Sequence, residues 1–150
     1  MPKVRLAQPG DAATIVDFQL KMAMETENLA LDFSTVEKGV QAVFQDESKG
    51  KYHVVEDEGL VISSLLITYE WSDWRNGTIL WLQSLYVLPS YRRQGIFKHM
   101  FHYLRDTIKK SESLKGLRLY VDKSNHLAQR VYEAMGMDSQ HYQMYEWIKP

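Results

Sequence analysis

The chain has 150 residues, 45% of them apolar, no cysteine, and 18 Lys and Arg set against 19 Asp and Glu. That length and apolar share suffice for a single domain over residues 1–150, and the near-zero net charge excludes a global field drawing the chain to nucleic acid or to a membrane. Without cysteine there is no disulfide framework, thiolate metal site or thiol nucleophile; with no signal-like start and no apolar run long enough for a bilayer, the expected location is the cytoplasm.

Val4 to Ala7 reads as a short strand, and Pro9-Gly10-Asp11 as a turn ending in an N-cap. A helix follows to about Thr26, because Ile15, Phe18 and Met22 recur at three- and four-residue steps while Val16, Leu20 and Ala23 widen the stripe. After a loop from Asn28 to Phe33, Ser34 and Thr35 are the cap candidates for a second helix with Val36, Val40 and Val43 on one face. Tyr52 to Val55 and Leu60 to Tyr69 flank the acidic turn Glu56-Asp57-Glu58-Gly59, a hairpin pattern. Thr78 to Val87 is apolar on both alternating sets, so it is expected to be a central strand. A long helix runs through Phe97, Met100, Phe101, Leu104 and Ile108. A strand at Leu117 to Val121, a helix from Asn125 to Met135 and a last strand at Gln143 to Ile148 complete an α/β pattern.

One stretch carries chemistry: Leu82-Gln83-Ser84-Leu85-Tyr86-Val87-Leu88-Pro89-Ser90-Tyr91-Arg92-Arg93-Gln94-Gly95-Ile96-Phe97. A buried strand leaves through a proline turn into a basic, glycine-containing loop that starts a helix. The unpaired N–H groups of such a helix start converge on one spot, where the macrodipole adds about half a positive charge, which suits a phosphate. Arg92, Arg93 and Lys98 add local charge. Alone, the same residues also describe a basic turn capping an ordinary helix.

This stretch resembles the acetyl-CoA loop of the GNAT N-acetyltransferase superfamily: Arg or Gln, two residues, Gly, one residue, then Gly or Ala, after a strand ending in Tyr-Val-x-Pro. Arg92 and Gly95 match, and Phe97 departs from the pattern. Downstream, Asn125-His126-Leu127-Ala128-Gln129-Arg130-Val131-Tyr132-Glu133-Ala134-Met135-Gly136-Met137 resembles the second signature, Asn-x-x-Ala-x-x-x-Tyr-x-x-x-Gly-Phe, altered at the last residue. Ala128, Tyr132 and Met135 share a helical face, and Gly136 supplies a left-handed stop.

The resemblance implies an α/β GNAT-like fold: a mixed, mostly antiparallel sheet of six to seven strands, splayed at a bulge in the fourth, with about four helices. It implies acetyl-CoA as co-substrate and no metal. The backbone around Leu85, Tyr86 and Val87 would pair with the pantetheine arm, Arg92, Arg93, Gln94, Gly95, Ile96, Phe97 and Lys98 would hold the diphosphate, and Asn125 would contact the cofactor near its reacting end. Tyr132, at the thioester sulfur, is the general-acid candidate, against a plain packing role.

Direct attack by an amine needs the neutral base. With a pKa near 10.4, roughly one primary amine in 2,500 is neutral at pH 7, about 4.6 kcal/mol of barrier. Relatives place a carboxylate on the fourth strand, where this chain has Gln83 and Ser84. Glu70 and Asp73 are the substitutes considered, directly or through water, and Glu25, Glu27, Trp71 and Trp74 are assigned to a small cationic acceptor. For each carboxylate the competing reading is a solvated or paired side chain; for the tryptophans it is a packed turn or a homodimer contact. His99 and His102 stand three apart without a third metal ligand and read as an exposed helix face. The rival function is a non-catalytic acyl-CoA-binding sensor or interaction module. Nucleic-acid binding fails because Arg92-Arg93 and Lys109-Lys110 are too few for an electrostatic footprint.

Overall fold

The computed structural model describes residues 2–150. In chain order it runs β1 Lys3–Leu6, α1 Ala12–Glu27, α2 Phe33–Gln45, β2 Lys51–Asp57, β3 Leu60–Ser72, β4 Gly77–Val87, α3 Ile96–Lys109, β5 Leu114–Arg118 and α4 His126–Ala134. The chain up to Arg118 is one compact unit and Leu119–Pro150 is a second. All five strands belong to the first, in the order β1-β2-β3-β4-β5, antiparallel except for the parallel pair of β4 with β5.

Strand alternation divides the core between the two faces of this sheet. Tyr52 and Val54 join Ala12, Ile15 and Val16 of α1 and Val40 of α2 in one buried cluster. Between them His53 points the other way, its ring 5.7 Å from that of Tyr103 on α3. On β3, Leu66 packs against the α1–α2 cluster, whereas Ser63 Oγ lies 3.4 Å from Met100 Sδ of α3. Helices α1 and α2 therefore cover one face and α3 the other.

Two caps differ from the sequence reading. Asp11 does not cap α1 with its side chain; its carboxylate accepts from Gln8 N–H at 2.7 Å and from both terminal nitrogens of Arg5 at 2.8 and 3.1 Å, tying the entry of α1 to β1. Helix α2 is capped by Asp32, which accepts from Thr35 N–H at 2.9 Å, so Thr35 is the third residue of the helix and not its cap. Asp and Ser are equally good caps, and Asp32 has the right spacing to an available N–H.

The strand count is five among the described residues, fewer than the six to seven expected. The strand expected at Leu117 to Val121 lies earlier, at Leu114–Arg118, because the Ser111–Ser113 turn delivers the chain to β4 there: Thr78 N–H donates to Ser113 C=O at 2.8 Å. Gln143 to Ile148 forms no strand, and Tyr145 and Trp147 in it are more than four-fifths exposed. Alternation tells which residues would share a face, but a strand also needs a neighbouring edge.

His53 is buried, and desolvation, reinforced by the charge of Lys51, lowers its pKa from 6.5 to about 4. The unfolded chain takes up a proton below about 6.5 while the folded imidazole resists until about 4. Stability fully present above 6.5 is therefore lost as pH falls across that window, by about 3 kcal/mol for this one group. Urea unfolding between pH 7.5 and 4 should show that slope, and His53→Phe should flatten it; an unchanged acid slope in the variant contradicts the assignment.

Candidate functional site

The candidate site begins with an extra residue in β4. Ser64 pairs with Tyr86 and Leu66 with Gln83, so Ser84 and Leu85 together oppose the single Leu65. Ser84 takes φ +55°, a left-handed conformation that a serine adopts only when its surroundings impose it. On its other side β4 pairs with β5 only from Thr78 to Trp81. Beyond Trp81, through Leu82 to Val87, that edge of β4 has no strand neighbour among the described residues. An edge of this kind presents backbone N–H and C=O groups to whatever lies alongside.

The edge leads directly into the basic loop. A short 3-10 turn, Pro89–Tyr91, is followed by Arg93 at φ +62° and Gly95 at φ +77°, two left-handed residues around Gln94. Gln94 Nε2 closes the turn onto Ser90 C=O at 2.8 Å. The first backbone bond of α3 is His99 N–H to Gly95 C=O, 3.0 Å, so the amides at the start of the helix have no partner within it. Apart from its chain neighbours, no heavy atom comes within 4 Å of where a Cβ on Gly95 would stand, so that side of the loop is open. These features make an anion cradle, and Arg93 and Lys98 supply charge beside it.

Arg92 is bonded to the end of β4 and to α1. Its Nε donates to Val87 C=O at 2.9 Å, and Nη2 donates to Glu25 Oε1 at 2.7 Å. The second oxygen of Glu25 accepts from the Tyr86 hydroxyl at 2.5 Å. Tyr86 also stacks obliquely on Phe18, ring centroids 5.1 Å apart. Phe18 and Glu25 are seven residues apart on α1, hence on one helical face, which is why both reach the same tyrosine. The Tyr86 and Arg92 bonds hold the Glu25 carboxyl below its usual range. Desolvation and the Glu25 carboxylate push the Tyr86 phenol up to about 12, so it stays protonated as the donor.

The four candidate carboxylates do not converge. Glu25 sits beside Tyr86, whereas Glu70 is paired with Ile79, seven positions earlier on β4 and about 20 Å away along the strand. Glu70 accepts from Trp81 Nε1 at 2.7 Å and from Arg118 Nη1 at 2.9 and 2.7 Å, one bond to each oxygen. Those bonds, Trp81 first and then Arg118, lower its pKa, the wrong direction for a base. Trp71 and Trp74 are 64% and 87% exposed at the same far end, where Asp73 also lies in the β3–β4 turn. The expected grouping of Glu25 and Glu27 with Glu70, Asp73, Trp71 and Trp74 around one acceptor is therefore corrected: strand length separates the two sets. Gln83, at the usual carboxylate position, donates to Thr68 Oγ1 at 2.8 Å.

In the second unit, Asn125 caps α4 by accepting from Ala128 N–H at 3.1 Å. Tyr132 is half-buried on that helix, and burial raises its phenol pKa. Gly136, at φ +90°, ends the helix, with Met137 N–H returning to Tyr132 C=O at 3.1 Å.

Residues 21–137 match the Acetyltransferase (GNAT) family, well over half of the chain. The chain belongs to that family. Among solved structures, it is similar to a possible acetyltransferase from Clostridium difficile 630, with 44% identity, a TM-score of 0.92, and coverage of 100% of this chain and 99% of that one. The fold also matches a predicted acetyltransferase with acetyl-CoA from Clostridium acetobutylicum (18% identity, TM-score 0.74, 97% and 96% covered). A ribosomal-protein-alanine N-acetyltransferase from Brucella melitensis biovar Abortus 2308 shares it at 13% identity, TM-score 0.80, with 99% and 100% covered. No match to curated proteins was found.

Within this GNAT chain, sequence reasoning missed the hydrogen-bond partners of the candidate carboxylates. Nothing local marks Tyr86 as the hydrogen-bond donor to Glu25, or Trp81 and Arg118 as the donors to Glu70. The seven-residue step from Phe18 to Glu25 was the one available signal. At Gly95 the geometry makes a direct prediction. A Cβ meets no atom there, but the positive φ disfavours any L side chain, so Gly95→Ala should lower the unfolding free energy by about 1–2 kcal/mol. Urea denaturation checks it; an alanine variant as stable as the parent means the loop has another low-energy conformation.

Proposed function

We propose that the chain is an acetyl-CoA-dependent N-acetyltransferase that passes an acetyl group directly to a primary amine. The observation that carries this reading is the bulged, one-sided end of β4 running into the left-handed turns ahead of α3. Such an edge suits the amides of a pantetheine arm at Leu85, Tyr86 and Val87, and the turns suit the diphosphate that follows. Val87 C=O already accepts from Arg92, yet a carbonyl has a second lone pair. The open space at Gly95 lets the diphosphate approach backbone amides of Gly95, Ile96 and Phe97, with Arg93 and Lys98 alongside and Gln94 bracing the loop.

Acetyl-CoA supplies the activated acetyl thioester. This chain's own residues bind it, exclude competing geometry and manage protons. On the family resemblance, Tyr132 is the candidate proton donor to the departing sulfur. Burial raises its pKa, which keeps the phenol protonated throughout the neutral range at some loss of driving force for transfer to the departing thiolate. On the same resemblance, Asn125 is assigned to the cofactor near its reacting end. The amine's proton leaves through water, because Gln83 and Ser84 stand where a base would be and Glu70 is held by Trp81 and Arg118. A small cationic amine fits an approach past Glu27, exposed at the end of α1.

Thiol release from acetyl-CoA, followed with matched cationic, neutral-tailed and amino-acid-amide amines, tests this reading. Amine-dependent release is the expected result. Tight acetyl-CoA binding with no amine dependence would instead support a non-catalytic acyl-CoA sensor. Where chemistry limits the rate, Tyr132→Phe should lower kcat by about 10²- to 10⁴-fold with donor affinity nearly intact. Wild-type kcat across the pH range would return Tyr132 to packing alone.

A further inference from the structure

Resting on the proposed acetyl-CoA chemistry, we infer that Glu25 is a positioning residue for the donor: through Arg92 it holds the loop that receives the diphosphate, and it does not hold the acceptor amine. Both carboxylate oxygens of Glu25 are engaged, Oε2 by the Tyr86 hydroxyl at 2.5 Å and Oε1 by Arg92 Nη2 at 2.7 Å. The Arg92 guanidinium is fastened again by Nε to Val87 C=O, 2.9 Å, and lies 5.3 Å from the Tyr86 ring centroid. These contacts join three elements that sequence separates: the last turns of α1, the end of β4 beyond its bulge, and the first residue of the loop.

The consequence for the loop is conformational. Arg92 has extended backbone angles, φ −70° and ψ 153°, and Arg93 immediately turns left-handed at φ +62°. A left-handed non-glycine residue costs about 1–2 kcal/mol and persists only where its neighbours hold it. The fastened guanidinium fixes the residue just before that turn and so fixes where the turn begins. The consequence for charge is that Glu25 neutralises Arg92. Attraction for the diphosphate then rests on the amides of the α3 start and on Arg93 and Lys98, which have no ion pair among the described residues. An ammonium seeking Glu25 would first have to displace a charge-assisted bond from Arg92, which disfavours Glu25 as an acceptor contact.

The test uses the full chain and two donors that differ in the diphosphate. Glu25→Gln keeps the shape and removes the charge, so it should weaken CoA affinity in calorimetry about tenfold and raise the KM for acetyl-CoA to match. The KM values for S-acetylpantetheine, which lacks the diphosphate, and for the acceptor amine should move by less than about twofold. Arg92→Gln should show the same split, and the double variant should be no worse than either single one, because both act through one contact. Tyr86→Phe, which keeps the ring and removes the donor to Glu25, should give a smaller shift in the same direction. Equal losses with both donors, or a raised amine KM with CoA affinity unchanged, would overturn this inference and leave the acetyltransferase reading standing. Wild-type protein that binds no CoA would overturn both.

Discussion

The single surplus residue in β4 is the constraint on which the site depends. In an unbroken strand Gln83 and Tyr86, three apart, would point to opposite faces. Because Ser84 and Leu85 together oppose Leu65, parity is reset: Gln83 opposite Leu66 and Tyr86 opposite Ser64 lie on the same face. That face carries α1, so Tyr86 meets Phe18 and Glu25, while Val87 is turned with Ser63 toward α3. Ser63 Oγ donates to Tyr86 C=O at 2.7 Å from beneath, a buried bond that secures the distorted segment from β3. Without the extra residue Tyr86 would be aimed into the α3 layer, and the tie between α1 and the loop would be lost.

The second theme is pairing of charge across elements in a chain of nearly zero net charge. Arg5 bridges Asp11 and Glu56, Arg118 holds Glu70, and Arg92 holds Glu25. Each arginine connects two or more separate strands, helices or loops. Partly exposed pairs of this sort contribute little to stability on their own, and their use here is geometric: a planar, multidentate guanidinium sets the relative placement of the elements it joins. Asp11 shows the effect electrostatically, since the Arg5 bond outweighs desolvation and lowers its pKa. At the start of α3 the first backbone bond is that of His99 N–H to Gly95 C=O, so the amides before it have no partner within the helix.

Much of this was legible beforehand. The apolar periodicity of Ile15, Phe18 and Met22 marked α1, the doubly apolar run from Thr78 to Val87 marked the strand between β3 and β5, and Gly136 marked the end of α4. The resemblance around Arg92 and Gly95 led to the family and to the bulge. Three things were not legible, and for one reason. The cap at Asp32, the occupied carboxylates of Glu25 and Glu70, and the unformed strand at Gln143 to Ile148 are all settled by which partner is within reach, and reach depends on tertiary placement. Residue type tells what a carboxylate can accept but not who donates to it. The acceptor grouping of Glu25 with Glu70 failed because proximity along a sheet is measured in strand residues, and their partners Tyr86 and Ile79 are seven positions apart on β4.

The order of the sheet has a consequence for how it assembles. Strands β2, β3 and β4 follow one another through short turns, so their contacts close small loops, whereas β1 reaches β2 only across both α1 and α2, with Lys3 opposite Glu56. Strand β5 likewise reaches β4 only after α3, and then by four paired positions. Loop closure favours the three-strand meander as the first structure to form, with the two outer strands added once their helices have docked. The open end of β4 lies on this early-forming meander. The framework of the cradle is thus carried by strands that can pair before any helix has docked, and only the start of α3 has to be added to complete it.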